Sequence, residues 1–156
     1  GASLSQTDGD KGVITVQRAP LKSFSVDASN CPDLFPIISV LAAFCQGKCR
    51  LAGVGRLANK ESDRAKAILE MLTQMGVKAE IQGDEMMIEG LSLAQRILNS
   101  QLLKGGAYTS HHDHRMVMAL KVASLGADGP ITIDDEQCVG KSFPQFHETF
   151  SLLRFL

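Results

Sequence analysis

Residues 34–45, with the sequence LFPIISVLAAFC, are the most apolar stretch of the chain and decide how the rest is arranged. They belong to a predicted helix, 32–46, that is apolar on nearly every side, and Gly47 is expected to end it. A helix of that kind is stable only when other elements cover it all round. The stretch is also shorter than the ~20 apolar residues that cross a bilayer. It is therefore predicted to be a buried core helix.

The rest of the chain alternates strands with helices. Residues 113–125 (DHRMVMALKVASL) are again apolar almost all round, whereas 61–76 shows the i, i+3, i+4, i+7 spacing of an amphipathic helix. The pattern predicts an α/β fold with the helices packed inside and the sheets outside. The other predicted elements are strands at 13–17, 21–26, 49–54, 77–81, 86–88 and 131–133, a short helix or loop and then a strand within 91–109, and a last helix from Ser142-Phe143-Pro144 to about 153.

The composition of the 156 residues is that of an ordinary soluble domain. With 44% hydrophobic and 21% charged residues, the chain can bury one sizeable core. Lys and Arg number 16 against 17 Asp and Glu, which argues against nucleic-acid and anionic-membrane partners. The chain has no Trp and one Tyr, so an aromatic platform for single strands is not expected either.

The chain start and the cysteines bear on domain boundaries and location. Residues 1–8 are polar and are expected to be a leader or tag scar, with the domain covering 9–156 and no signal peptide. No two cysteines form a C-x-x-C pair, which favours reduced, mostly buried thiols over a zinc site or a disulfide framework. A cytoplasmic location, or a reducing organelle, is expected. The cysteines are Cys31, Cys45, Cys49 and Cys138.

Four cations stand at or near predicted helix starts, where the helix dipole disfavours them. Lys60 and Arg64 are in addition a like-charged i, i+4 pair, which costs a few tenths of a kcal/mol. A bound anion would explain this placement, because helix N-termini offer free N–H groups and cations add charge-assisted hydrogen bonds. The competing interpretation is that the cations are solvated or paired with Asp63, Asp113 and Glu61. The four are Lys60, Arg64, Arg115 and Lys141.

Carboxylates lie in the same places as these cations. Asp33, Glu61 and Asp113 would suit proton transfer on an anionic substrate, because the cations fix the substrate and a carboxylate moves the proton. For Asp33 and Asp113, helix capping and a favourable contact with the helix dipole are the more common explanation. Glu61, directly after Lys60, has no such simple explanation.

Other kinds of site have weaker support. The run HHDH at 111–114 would put His111 and His114 on one helix face, but no second ligand cluster accompanies it, so no metal is predicted. Ser110 is not part of a G-x-S-x-G elbow, which argues against a serine nucleophile. The chain also has no P-loop and no G-x-G-x-x-G, so nucleotide binding is not expected.

Four blocks of sequence, in this order, resemble the 5-enolpyruvylshikimate-3-phosphate synthase family. They are PDLFP at 32–36, KESDR at 60–64, DHRM at 113–116 and CVGKSFP at 138–144. The resemblance runs from about Gly9 to the last residue and covers only the C-terminal part of that longer enzyme. It implies a partial C-terminal lobe of the inside-out enolpyruvyl transferase type, built of repeated βαβαββ units with about two of the three present.

The resemblance implies a reaction and roles for the residues. The family moves the enolpyruvyl group of phosphoenolpyruvate to the 5-hydroxyl of shikimate 3-phosphate and releases phosphate, without metal or organic cofactor. Asp33 matches the aspartate that handles the hydroxyl proton, and Glu61 matches the glutamate that moves a proton at the methylene carbon. Lys60 matches a substrate-binding lysine near the reacting groups. The cations that match the phosphoenolpyruvate-binding positions are Arg64, Arg115 and Lys141, with His114 beside them.

The resemblance also sets expectations for the isolated chain. The N-terminal lobe would hold most of shikimate 3-phosphate, so the chain alone is expected to be inactive and to self-associate through uncovered apolar surface, whereas the full-length enzyme is expected to be monomeric. Two alternatives stay open: a non-catalytic module that binds small anions, and an enolpyruvyl transferase with another acceptor. The chain departs from the family pattern at Ala58, His112 and Gly140.

Overall fold

The computed structural model describes residues 4–6, 14–16, 19–58 and 63–152, the first two ranges as backbone only. In these ranges no helix combines the length and apolarity needed to cross a membrane. The helices are α1 (Phe35–Ala43), α2 (Arg64–Gln74), α3 (Leu93–Leu98), α4 (His114–Ala123) and α5 (Phe146–Ser151). The strands are β1 (Leu4–Gln6), β2 (Ile14–Val16), β3 (Ser25–Asp27), β4 (Gly47–Ala52), β5 (Lys78–Gln82), β6 (Glu85–Gly90), β7 (Gly106–Tyr108) and β8 (Ile131–Ile133).

The main sheet has four strands in the order β3-β4-β6-β5. β3 runs parallel to β4, which requires the helical crossover that α1 supplies. β6 pairs antiparallel with both β4 and β5, and the β5–β6 hairpin turns at Gly83-Asp84 as the sequence predicts. From β3 to β6 the order of elements is strand, helix, strand, helix, strand, strand.

A second parallel pair follows the main sheet. β7 lies beside β8, with Gly106 opposite Ile131, and α4 forms the connection between them. The α/β class is therefore confirmed. That the chain repeats a βαβαββ unit remains a prediction.

The core lies between the helices and the inner face of the main sheet. Helices α1 and α4 pack on each other, and fully buried residues such as Val40 and Leu120 come from their facing sides. Leu51 and Ile88 cover them from the sheet, each contributing roughly 1.5–3 kcal/mol by burial. The predicted core helix is confirmed, although Leu41 on its outer side is 44% exposed.

Three predicted helix boundaries are wrong. Helix α1 begins at Phe35, because Pro36 lacks an N–H and is tolerated only in a first turn; residues 32–34 form a 3₁₀ turn instead. It ends at Ala43, and Gly47 begins β4. The last helix starts at Phe146, since Ser142 donates its N–H to Val139 and closes the preceding 3₁₀ turn.

The start of the chain contains a strand that the sequence did not predict. Strand β1 lies within the predicted leader and pairs antiparallel with β2, Leu4 opposite Val16. The predicted strand 13–17 agrees with β2. The boundary between a leader at 1–8 and a domain at 9–156 remains a prediction.

The cysteines agree with the predicted reduced state. All four are free thiols, and only Cys31 is partly exposed. Burial, reinforced by the neighbouring Cys49, raises the pKa of Cys45 to about 11. Thiols of this kind are structural rather than reactive.

Gly90 is where the sheet crosses the end of α1 most closely. A Cβ on this residue would lie far inside van der Waals contact with the carbonyl oxygens of Ala42 and Cys45. We expect Gly90→Ala to lower the free energy of unfolding by about 3 kcal/mol, because the clash is with backbone. Urea unfolding measures this. Gly129→Ala is the matched control, since its Cβ would meet nothing within 4 Å; equal stability of the two variants would contradict the packing.

Candidate active site

Three helix starts meet at the guanidinium of Arg64. Arg64 is the first residue of α2, Asp113 is the N-cap of α4, and Asp33 lies in the 3₁₀ turn that leads into α1. Arg64 Nε donates to Asp113 Oδ2 at 2.8 Å, and Arg64 Nη1 donates to Asp33 Oδ1 at 2.9 Å. Residues far apart in sequence are thereby held at one place.

The Arg64–Asp113 pair is entirely inside the protein. Both side chains are 0% exposed, and a second hydrogen bond joins Arg64 Nη2 to Asp113 Oδ1 at 3.3 Å. The same Oδ1 accepts the N–H of Arg115 at 2.8 Å and so caps α4. Charges removed from water require this kind of multiple pairing. Asp113 therefore serves both as a helix cap and as a counter-ion.

Asp33 lies between two guanidinium groups. Its Oδ1 accepts from Arg64, and its Oδ2 is 3.5 Å from Nη2 of Arg115. Unlike Asp113, its side chain is 50% exposed. The carboxylate is thus fixed in position by cations while solvent still reaches it, which a group that exchanges protons with a ligand needs.

Two buried nitrogens at the start of α4 have no hydrogen-bond partner. They are Nδ1 of His114 and Nε of Arg115. A buried polar atom without a partner costs about 1–3 kcal/mol and calls for an explanation, such as a ligand that completes the site. Both atoms belong to residues that the sequence predicts as ligand-binding.

Lys141 approaches the same helix start from another part of the chain. It ends the 3₁₀ turn Glu136–Lys141 and is exposed to solvent. Its Nζ lies 3.4 Å from the carbonyl oxygen of His112, just before α4. An exposed ammonium is thereby placed beside the loop that leads into α4.

The loop before α4 has a strained backbone. His111 and His112 have φ angles of +53° and +57°, a region that favours Gly and Asn over histidine. Their rings contact carboxylates: His112 Nδ1 lies 2.7 Å from Asp135, and His111 Nε2 lies 3.3 Å from Glu70. Such strain is typical of functional loops. Among the described residues no group of three or more His, Cys, Asp or Glu side chains could hold a metal.

Asp134 anchors this loop from β8. Its Oδ1 accepts from the N–H and the hydroxyl of Ser110, each at 2.8 Å, and its Oδ2 accepts from Thr109 at 2.6 Å. Burial raises the pKa of the Asp134 carboxyl, but the hydrogen bonds from Ser110, Thr109 and Asp135 outweigh it and lower the pKa. Asp134 was not among the predicted site residues.

The structure brings together part of the predicted set. Asp33, Arg64 and Arg115 are in contact, and His114 and Lys141 lie at the same helix start. Lys60 and Glu61 lie outside the described residues. The competing interpretation applies to Arg64, whose carboxylate partners include Asp113. Asp63 instead caps α2 by accepting from the N–H of Lys66 at 3.3 Å.

The family described as EPSP synthase (3-phosphoshikimate 1-carboxyvinyltransferase) matches residues 1–150. The chain belongs to the EPSP synthase family. This confirms the family suggested by the four sequence blocks.

Relatives within the family support the assignment. The 3-phosphoshikimate 1-carboxyvinyltransferase of Brachyspira hyodysenteriae is 41% identical over 96% of this chain and 33% of its own length. That of Halobacterium salinarum strain R1 is 38% identical over 92% of this chain and 32% of its own. This chain therefore spans about a third of the curated relatives it matches.

Solved structures agree with the fold. The EPSP synthase of Acinetobacter baumannii superposes with a TM-score of 0.79 at 29% identity, covering 94% of this chain and 35% of that one. The enolpyruvyl transferase NikO of Streptomyces tendae superposes with a TM-score of 0.67 over 95% of this chain and 32% of that one. At 14% identity, NikO supports the shared fold alone.

Replacing Asp113 tests the counter-ion role. Asp113→Asn keeps an oxygen that can cap α4 but leaves the buried Arg64 charge without this partner. We expect a loss of about 3 kcal/mol in the free energy of unfolding, measured in urea. Asp63→Asn is the matched control, because it makes the same change at an exposed N-cap, and it should cost less than 0.5 kcal/mol. Equal losses would show that Asp113 is only a cap.

The lowered pKa of Asp134 predicts how stability depends on pH. A carboxyl whose pKa is lower in the folded chain than its ordinary 3.8 stabilises the fold above that value, and the contribution is lost as the pH falls through the folded pKa. We expect Asp134→Asn to lower the Tm at pH 7, with a difference from wild type that shrinks below pH 4. A Tm difference that stays constant between pH 7 and pH 3 would contradict the assigned anchoring charge.

Proposed function

We propose that this chain carries the phosphoenolpyruvate side of an EPSP synthase active site. The complete protein would transfer the enolpyruvyl group of phosphoenolpyruvate to the 5-hydroxyl of shikimate 3-phosphate and release phosphate. Family membership supports the reaction. The main observation behind the proposed site is that Asp33 lies between Arg64 and Arg115. Buried nitrogens of His114 and Arg115 beside it have no hydrogen-bond partner.

The proposed reaction is an addition followed by an elimination. The 5-hydroxyl oxygen bonds to C2 of phosphoenolpyruvate while a proton adds to C3. Loss of phosphate from C2 and of a proton from C3 then restores the double bond. Asp33 accepts the hydroxyl proton, and Glu61 gives and later removes the proton at C3. The position of Asp33 supports its role, whereas the role of Glu61 rests on the KESDR block.

The cations have two proposed roles: some bind phosphoenolpyruvate, and Arg64 positions another residue of the site. Arg115 and Lys141 reach solvent, so we assign them to the carboxylate and phosphate groups of phosphoenolpyruvate, with His114 as a hydrogen-bond partner. Arg64 is buried, so its first role is to position Asp33. Its contact with phosphoenolpyruvate is proposed from the family, as is the place of Lys60 near the reacting groups.

The proposal extends to the protein that contains this chain. Residues 9–156 would form part of its C-terminal lobe after a leader at 1–8, and shikimate 3-phosphate would be held mainly by the other lobe. We further propose a cytoplasmic, monomeric enzyme that uses neither metal nor organic cofactor and has no nucleic-acid or membrane partner. The free, mostly buried thiols are consistent with a reducing compartment.

Phosphate release from both substrates tests the proposal. We expect negligible turnover by the isolated chain and full turnover by the complete protein, because positioning in a closed site supplies much of catalysis. Glu61→Gln and Asp33→Ala in the complete protein should lower kcat by about 10²-fold or more. A complete protein that binds phosphoenolpyruvate but never turns over would favour a non-catalytic anion-binding module.

Replacing Arg115 tests the binding of phosphoenolpyruvate separately from the proton-transfer steps. In the complete protein Arg115→Ala should raise the KM for phosphoenolpyruvate about tenfold or more while changing that for shikimate 3-phosphate much less. Arg50→Ala is the control, since Arg50 is an exposed cation on β4 that pairs with Glu85. An unchanged KM in Arg115→Ala would remove Arg115 from the phosphoenolpyruvate site.

A further inference from the structure

A cavity of about 770 Å³ lies at the other end of the same helices. We call it the Arg96 cavity; its wall includes Gly47 after α1, Gly76 after α2, Gly90 at the end of β6, and Arg96 on α3. Helix α2 separates it from the candidate active site, because Arg64 begins the helix and the cavity starts just beyond Gln74. At about 1.5 Å per residue the two lie roughly 15 Å apart.

Arg96 is a buried cation without a carboxylate partner. Its residue is 3% exposed, and its Nη1 and Nη2 donate to the carbonyl oxygens of Gln101 and Ala43, each at 2.9 Å. Its Nε has no hydrogen-bond partner. The ring of Phe44 lies 5.8 Å from the guanidinium carbon. Among the described residues no Asp or Glu lies within ion-pair distance of it.

This arrangement leaves the Arg96 charge incompletely compensated. Burial lowers the pKa of the guanidinium, because removing a cation from water is unfavourable. Ala43 ends α1, whose C-terminus supplies only about half a negative charge. A guanidinium has five N–H donors, so donors remain for an anion after the two carbonyl contacts.

The walls of the cavity are also cationic. Lys48, Lys78 and Lys104 line it with Arg96, against the carboxylates of Glu89 and Asp128. Both carboxylates are already engaged: Glu89 by Lys78 at 3.2 Å, and Asp128 by the N–H of Gly105 at 2.7 Å. Lys48 in turn pairs with Glu80, outside the lining, at 3.6 Å, so Arg96 and Lys104 are the lining cations that have no ion pair among the described residues.

We propose that the Arg96 cavity is a second binding site of this chain, for a small anion that carries phosphate or carboxylate groups. The Nη hydrogens of Arg96 that the two carbonyl contacts leave over would bind such an oxyanion, and Lys104 would add charge from the rim. Gln46, Gln95, Gln101 and Ser100 provide further hydrogen-bonding groups in the wall. The volume is within the range of small-molecule sites.

NMR titration of the full 156-residue chain tests the proposal. Inorganic phosphate and citrate, as phosphate and tricarboxylate, are added separately at constant ionic strength. The site predicts saturable amide shifts at Gly47, Gly76 and Gly90 with at least one of the two, and the stronger ligand identifies the preferred group. These amides should respond equally in Arg115→Ala, so the outcome is independent of the proposed function.

Two variants test whether the anion that causes these amide shifts binds in the Arg96 cavity. Arg96→Gln should weaken binding at these amides at least tenfold. Lys104→Glu should also weaken it severalfold and does not disturb the core, because Lys104 is exposed; it keeps the test decisive if Arg96→Gln does not fold. Lys66→Glu, an exposed charge reversal outside the cavity, should bind as wild type does. Non-saturating shifts, shifts confined to Arg115 and Lys141, or unchanged binding by Lys104→Glu would overturn the proposal.

Discussion

The buried pair between Arg64 and Asp113 is the constraint on which the candidate site depends. Two charges that are fully removed from water are stable only when they satisfy each other and their remaining hydrogen bonds. Because one comes from the start of α2 and the other from the start of α4, satisfying them fixes how these helices meet. Asp33 joins the same guanidinium from the turn before α1. Electrostatic pairing thus fixes the relative positions of Asp33, Arg64 and Asp113.

The cationic residues of the site could be predicted from the sequence, but the carboxylates that hold them and their loops in place were harder to predict. Cations at helix starts are locally unfavourable, and that conflict is visible without a structure, so Arg64 and Arg115 could be singled out. Pairing with Asp113 was the competing interpretation of these cations, but that Arg64 would be the cation it neutralises could not be foreseen, because the two residues lie 49 residues apart. Asp134 has no local signal either, since the loop it anchors is 24 residues upstream.

The fold, too, could be predicted where it depends on local sequence, but not where it depends on contacts between distant residues. The apolar character of α1 and α4 predicted that helices would form the interior, and the structure confirms it. The starts of two helices depend on single residues. Pro36 fixes where α1 begins, and because the N–H of Ser142 bonds to Val139, α5 begins further along the chain than predicted. Strand β1 could not be inferred, because a short strand in a polar segment is defined by its partner rather than by its own composition.

A double-mutant cycle on the pair tests this account most directly. Urea unfolding of the chain is measured for Arg64→Met, Asp113→Asn and the double variant, beside wild type. The account predicts a coupling of about 2 kcal/mol, so the double variant loses clearly less stability than the two single losses added together. Additive losses, with a coupling near zero, would contradict the claim that this ion pair holds the helix starts together.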